Sequence, residues 1–160
     1  MADETAITDR TDASGRAPAP PYPEGHNLLA GKTVLVTAAA GTGIGFATAK
    51  RCIEEGARVM ISDIHERRLG EAAAALGEVA GEAVPTVLCN VTQQAEVDAM
   101  FAAAVDALGH VDVMVNNAGL GGEVPLVDMT DDQWHAVLDV TLNGTTVSYT
   151  HLTLPTILLV

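Results

Sequence analysis

The sequence is poor in aromatic residues, cysteine and positive charge, and its apolar runs are short. No run is long enough to cross a membrane as a helix. The two cysteines, Cys52 and Cys89, sit within apolar patterns and form no C-x-x-C or Cys/His cluster. No metal site is therefore expected, and buried, reduced thiols in a cytoplasmic protein are. Lys and Arg number 8 against 21 Asp and Glu, a formal net charge of −13. With no basic stripe to neutralise phosphates, nucleic acid and anionic membranes are excluded as partners, and the charge is read as solubility. The N-terminus lacks a basic stretch followed by an apolar one, so no secretory signal is expected. With only 3% aromatic residues, alanine, valine and leucine must fill the core.

What is present suffices for one domain. The 160 residues are 48% hydrophobic, which argues against disorder of the whole. Residues 1–27 form an exception. Asp3, Glu4, Asp9 and Asp12, then Pro18, Pro20, Pro21 and Pro23, predict a disordered acidic and proline-rich tail whose end Tyr22 pins to the domain. From Leu28 onward, strands alternate with helices. The pattern predicts strands at Thr33–Thr37, Arg58–Ser62, Thr86–Cys89 and Val111–Val115. Helices are predicted at Gly43–Glu55, from Glu66, at Gln93–Leu108 and from Thr130, where Thr130 and Gln133 have capping-box spacing. In the first helix Ile44, Ala47, Cys52 and Ile53 are expected to face the core, with Lys50, Arg51, Glu54 and Glu55 in water. Four such alternations predict an α/β fold: a doubly wound, Rossmann-type parallel sheet, helices on both faces, with about four strands. Its ligands sit beyond the carboxyl ends of the strands.

The residues at those ends carry the functional reading. The first strand runs into TVLVTAAAGTGIG, where Ala39, Gly41, Thr42, Gly43, Ile44 and Gly45 lead into a helix. Small residues let a backbone approach a pyrophosphate, and the N–H groups of a helix N-terminus attract its charge. A strict G-x-G-x-x-G fails, because Phe46 stands where the third glycine belongs. Asp63 follows the second strand about 20 residues on, where a carboxylate can accept both ribose hydroxyls of NAD and repel the phosphate of NADP. No arginine adjoins it directly; helix capping is the plain alternative role, and S-adenosylmethionine sites use such an acid too. Asn90 and Val91 follow the third strand, where an amide can meet an adenine edge; Thr92 can cap the next helix.

After the fourth strand stand Asn116, Asn117, Ala118 and Gly119. NNAG there, with the glycine loop after the first strand, closely resembles the short-chain dehydrogenase/reductase family over Leu28 to about Thr146, and argues against a methyltransferase. The resemblance implies an NAD-dependent oxidoreductase moving a hydride between nicotinamide and a secondary alcohol or ketone (3-oxoacyl, steroid-like or sugar-like). It also implies a small-molecule substrate and a homo-oligomer, dimer or tetramer. Asn117, Ala118 and Gly119 would lie near the nicotinamide-side ribose. The family pattern T-G-x-x-x-G-x-G is altered: Ala38 follows Thr37, and the loop Ala38–Thr42 is one residue longer. Asn90 stands where aspartate is usual. Thr141 stands where the family has a catalytic asparagine, with a hydroxyl that can hold a water. The family's Tyr-x-x-x-Lys is absent: the lysines are Lys32 and Lys50, and Tyr22 and Tyr149 have no lysine four positions on. No catalytic residue is therefore assigned within this chain. A dinucleotide-binding module without catalysis, a sensor or scaffold, is the alternative reading.

The last 14 residues, VSYTHLTLPTILLV, contain no Asp, Glu, Lys or Arg, crowd β-branched residues and are interrupted by Pro155. VSYTHLTLPT resembles a one-frame translation of a common transposon-end sequencing adapter. The expectation is a gene fragment, native to about Thr145 or Thr146, with residues 147–160 foreign to it, and inactive as it stands.

Overall fold

A computed structural model describes residues 20–121 and 124–151, the side chains of Thr150 and His151 excepted. Most of the acidic tail, and most of the segment read as foreign, lie outside the described residues.

Four parallel strands form one sheet: β1 (Thr33–Val36), β2 (Arg58–Asp63), β3 (Thr86–Leu88) and β4 (Val113–Val115), in the order β3-β2-β1-β4. The alternating helices are α1 (Ile44–Glu54), α2 (Glu66–Ala80) and α3 (Gln94–Leu108). After β4 come a 3₁₀ turn (Leu126–Asp128), α4 (Asp131–Leu138), a π-helical turn (Asp139–Asn143) and α5 (Gly144–His151). The architecture is thus the Rossmann-like α/β fold expected. Winding starts at β1 and moves outward through β2 and β3, then returns to the other side of β1 for β4. Thr33 to Val36 are all buried because β1 is central and helices cover both faces.

Period-2 alternation along β1 and β2 divides the core. Val34, Val36, Val59 and Ile61 face α1 and α2, meeting Ala49, Leu69, Ala72 and Leu76. Leu35 and Met60 face α3, meeting Val97, Met100, Phe101, Ala104 and Leu108. Alanines on the helices let α1 and α2 approach the sheet closely, which is how so few aromatics suffice.

Several expected boundaries move. β2 runs on to Asp63, whose carbonyl accepts the Cys89 N–H at 3.1 Å. β4 begins at Val113, and Asp112 before it binds Lys32 and the Thr33 N–H through its carboxylate. The buried positions of α1 are Gly45 and Ala49, with Cys52 and Ile53 partly buried. Ile44 is 79% exposed and Ala47 is exposed as well, because the first turn of α1 projects past the strand ends. Glu55, expected in water, is buried. Its Oε2 accepts the N–H groups of His26 (2.8 Å) and Leu28 (3.1 Å), and Arg51 bonds its Oε1. The end of the N-terminal segment thereby straps across the end of α1. Tyr22 fastens it through its hydroxyl to Glu54 at 2.6 Å, with Lys50 over its ring.

Candidate functional site

The carboxyl ends of all four strands open into one cavity of about 310 Å³. Its wall includes Ala38 after β1, Asp63 ending β2, Asn90 and Val91 after β3, and Ala118 and Gly119 after β4. The glycine loop from Ala39 to Gly45 flanks this cavity and is tied to it through backbone bonds. The Ala39 N–H donates to the Ser62 carbonyl, and the Ala40 N–H donates to Asp63 Oδ2, both at 3.1 Å. Gly41 turns the loop with a φ of +93°, in the left-handed region that glycine tolerates.

Gly43 is the N-cap of α1 and supplies no side-chain cap, and the first turn carries no acid. Among the described residues, the leading N–H groups of α1 therefore have neither an N-cap side chain nor a first-turn acid to occupy them. A Cβ built on Gly41 or Gly43 meets nothing within 4 Å, so open space lies before the loop. At Gly45 the reverse holds: a Cβ would stand 2.5 Å from Asn117 Nδ2 and 2.6 Å from the Ala38 carbonyl. Open space outside, close packing beneath and donors at the helix start suit a pyrophosphate.

Asp63 does not cap α2, whose N-cap is His65. It bridges two segments: Oδ2 takes the Ala40 N–H, and Oδ1 takes the His65 N–H at 3.0 Å. Each oxygen keeps one lone pair for a hydroxyl. Arg68 lines the same cavity from the first turn of α2, and its side chain makes no hydrogen bond or ion pair among the described residues. Arg68 thus shares the cavity wall with Asp63, although no hydrogen bond or ion pair joins the two.

Asn117 braces rather than lines the cavity. Its Nδ2 donates to the carbonyls of Thr37 (3.1 Å) and Ala38 (3.0 Å), fixing the glycine loop against β4. Ala38 sits at a φ of +50°, where the family pattern has glycine. Thr141 Oγ1 accepts the Leu120 N–H at 3.2 Å and lies beside Gly119, so its hydroxyl proton stays available. Cys89 also lines the cavity; burial, then the Glu96 charge, pushes its thiol up to about 11, so it stays protonated.

Sequence reading missed Ile64, His65, Arg68, Leu120 and Val140, which complete the wall. A detectable signal for Arg68 was its place in the first turn of a helix leaving Asp63, since that turn overhangs the strand end. A second, mostly apolar recess of about 250 Å³ shares Leu120 and is lined further by Val124, Met129, Ala136 and Val137. Among the described residues no group of three metal-ligating side chains occurs, and no helix is long and apolar enough to cross a membrane.

The family described as short chain dehydrogenase matches residues 32–158. A reductase of Mycobacterium tuberculosis, named for (5R,7aS)-5-hydroxy-7a-methyl-1-oxo-2,3,5,6,7,7a-hexahydro-1H-indene-carboxyl-CoA, is 58% identical over 126 residues, 79% of this chain and 48% of that protein. Among solved structures, a short chain dehydrogenase from Mycobacterium smegmatis aligns with a TM-score of 0.79 at 53% identity, over 83% of this chain and 55% of the other. A 3-ketoacyl-(acyl-carrier-protein) reductase from Brucella melitensis, solved with NADH, aligns with a TM-score of 0.71 at 30% identity, over 78% of this chain and 50% of the other. The chain spans about half the length of the relatives it matches.

Proposed function

This chain belongs to the short-chain dehydrogenase family, and on that premise we propose that the whole protein is an NAD(H)-dependent oxidoreductase, cytoplasmic and homo-oligomeric, of which residues 28–146 form the cofactor-binding part. Its reaction is hydride transfer between nicotinamide and a secondary alcohol or ketone. One observation carries the cofactor reading: Asp63 shares a single cavity with Asn90, Val91 and Gly119, and holds the glycine loop through Ala40.

The assignments follow from the donors and acceptors available. The N–H groups at the start of α1 and the Gly41–Gly45 backbone hold the pyrophosphate. Asp63 accepts the ribose hydroxyls, Asn90 and Val91 meet the adenine, and Ala118 and Gly119 border the nicotinamide-side ribose. The bound dinucleotide supplies the hydride acceptor or donor. No Tyr-x-x-x-Lys occurs in the sequence, so proton transfer is assigned to residues outside it, and the chain itself is expected to bind cofactor without turnover.

Of the substrate classes considered, a ring-bearing carbonyl or alcohol is favoured. The apolar recess beyond Leu120 supports it, as does the bicyclic compound named for the 58% identical relative. Calorimetric titration with NAD and NADP tests the cofactor assignment: tighter binding of NAD, lost in Asp63→Ala, is expected, and a preference for NADP overturns it. Oxidation of a cyclic secondary alcohol by the whole protein separates this reading from a binding module without catalysis.

A further inference from the structure

Gly144 opens α5 directly after the π-helical turn, and it is buried. Its φ of −59° and ψ of −40° are ordinary right-handed helix, which any residue with a side chain adopts. Glycine weakens a helix relative to alanine, so backbone freedom does not explain its place here. The space beside it does. A Cβ at position 144 would stand 2.7 Å from Val91 Cγ2, 3.0 Å from Val91 Cβ and 3.3 Å from the Val91 carbonyl oxygen. The first two are closer than the roughly 3.5–4.0 Å at which non-bonded carbons rest. α5 therefore packs onto Val91 at a distance that only a missing side chain permits.

Val91 is 7% exposed and belongs to the core cluster with Cys89, Val97 and Phe101, and it also lines the cavity. Its side chain is branched at Cβ and has little rotamer freedom, so a methyl on residue 144 displaces it rather than turning it aside. A second recess of about 230 Å³ borders Val91, lined also by Asp139, Asn143 and Val147. Those residues flank Gly144, so that recess lies on the side from which the methyl would press. The space left for Val91 to enter is the cavity, where Asp63, Asn90 and Val140 share the wall.

Resting on the dinucleotide reading above, we propose that Gly144 is a positioning residue of the cofactor site: without touching the ligand, its missing side chain lets α5 seat Val91 in the wall and keeps the cavity wide enough for the adenosine half. Calorimetric titration of the full 160-residue chain with NAD and with adenosine diphosphate tests it, alongside urea unfolding of each variant. Gly144→Ala is expected to unfold cooperatively and to bind both ligands roughly tenfold more weakly, the scale of one methyl forced into a packed wall. Adding Val91→Ala clears the nearest contact, and affinity should return to within about threefold of Val91→Ala alone. A merely structural glycine would lower the urea midpoint and leave both dissociation constants unchanged, and that result overturns the proposal. A folded double variant that stays about tenfold weaker than Val91→Ala overturns it as well. Where Gly144→Ala does not fold, the double variant decides: folded and binding NAD like Val91→Ala it supports the proposal, and unfolded it overturns it. Absence of binding by the wild-type chain overturns the dinucleotide reading and this inference with it, a result distinct from unchanged affinity in a variant.

Discussion

Asn117 donates twice to Thr37: its backbone N–H reaches the Thr37 hydroxyl at 3.0 Å, and its side-chain amide reaches the Thr37 carbonyl at 3.1 Å. The same hydroxyl accepts the Ala118 N–H at 3.1 Å. Thr37 is buried, so its Oγ1 satisfies two donors that little water reaches. Thr37→Val, similar in shape, strands the Ala118 N–H and leaves the Asn117 N–H only its bond to the Val115 carbonyl at 3.0 Å. Urea unfolding is expected to record a loss of about 1–3 kcal/mol, and Thr37→Ser should recover most of it.

Ala38 offers the opposite opportunity. Its φ of +50° lies in the left-handed region, which an L-residue with a Cβ occupies at about 1–2 kcal/mol. Glycine removes that strain but loses more chain entropy on folding. Ala38→Gly is therefore expected to stabilise by about 0.5–1 kcal/mol, read as a raised urea midpoint at unchanged slope.

Asp63 and Arg68 line one cavity with opposite charges. Asp63→Ala removes the proposed ribose acceptor and leaves the cation. NAD affinity should fall by roughly tenfold, the worth of one hydrogen bond to a charged group, while NADP affinity holds or rises because Arg68 can meet the extra phosphate. Asp63→Ala with Arg68→Ala should lose that NADP binding. Equilibrium titration with both cofactors reads the contrast.

The Glu55 clasp predicts acid sensitivity. The N–H of Leu28, then that of His26, then Arg51, holds this carboxyl below the ordinary range against the opposing effect of burial. A carboxyl depressed in the folded state adds stability that is fully present above its unfolded value, about 4.3. That stability is lost as pH falls through the folded value. The amide signals of His26 and Leu28, followed by NMR, should shift in that window as the strap loosens, and in Glu55→Gln the dependence should vanish.

Much of the fold was legible because strand and helix periods are local. Val34, Leu35 and Val36 announce a buried strand, and the Thr130–Gln133 capping box forms as its spacing implied, with both reciprocal bonds present. What escaped was set by distant partners. Glu55 sits at a helix end and reads as solvated, until a segment nearly 30 residues earlier brings two N–H groups to it. Arg68 is five residues from Asp63 in sequence, yet the strand-to-helix turn returns it to the same cavity. Asn117 reads as a wall residue beside Ala118 and Gly119, but its amide turns back to the glycine loop. Side-chain direction of that kind depends on which acceptors the fold leaves open, and no spacing rule encodes it.

Strand β4 is bonded to β1 on one side and to no other strand among the described residues. On the proposed reading the ribose is held by Asp63 at the end of β2, a strand paired on both sides, whereas the opposite end of the cavity rests on exposed Gly119 and Leu120 beside the margin strand β4, with β3 forming the other margin. Affinity should then be lopsided. Adenosine diphosphate alone should keep most of the binding of the intact cofactor, and the nicotinamide arm should remain loosely tethered until a further wall is built against that margin.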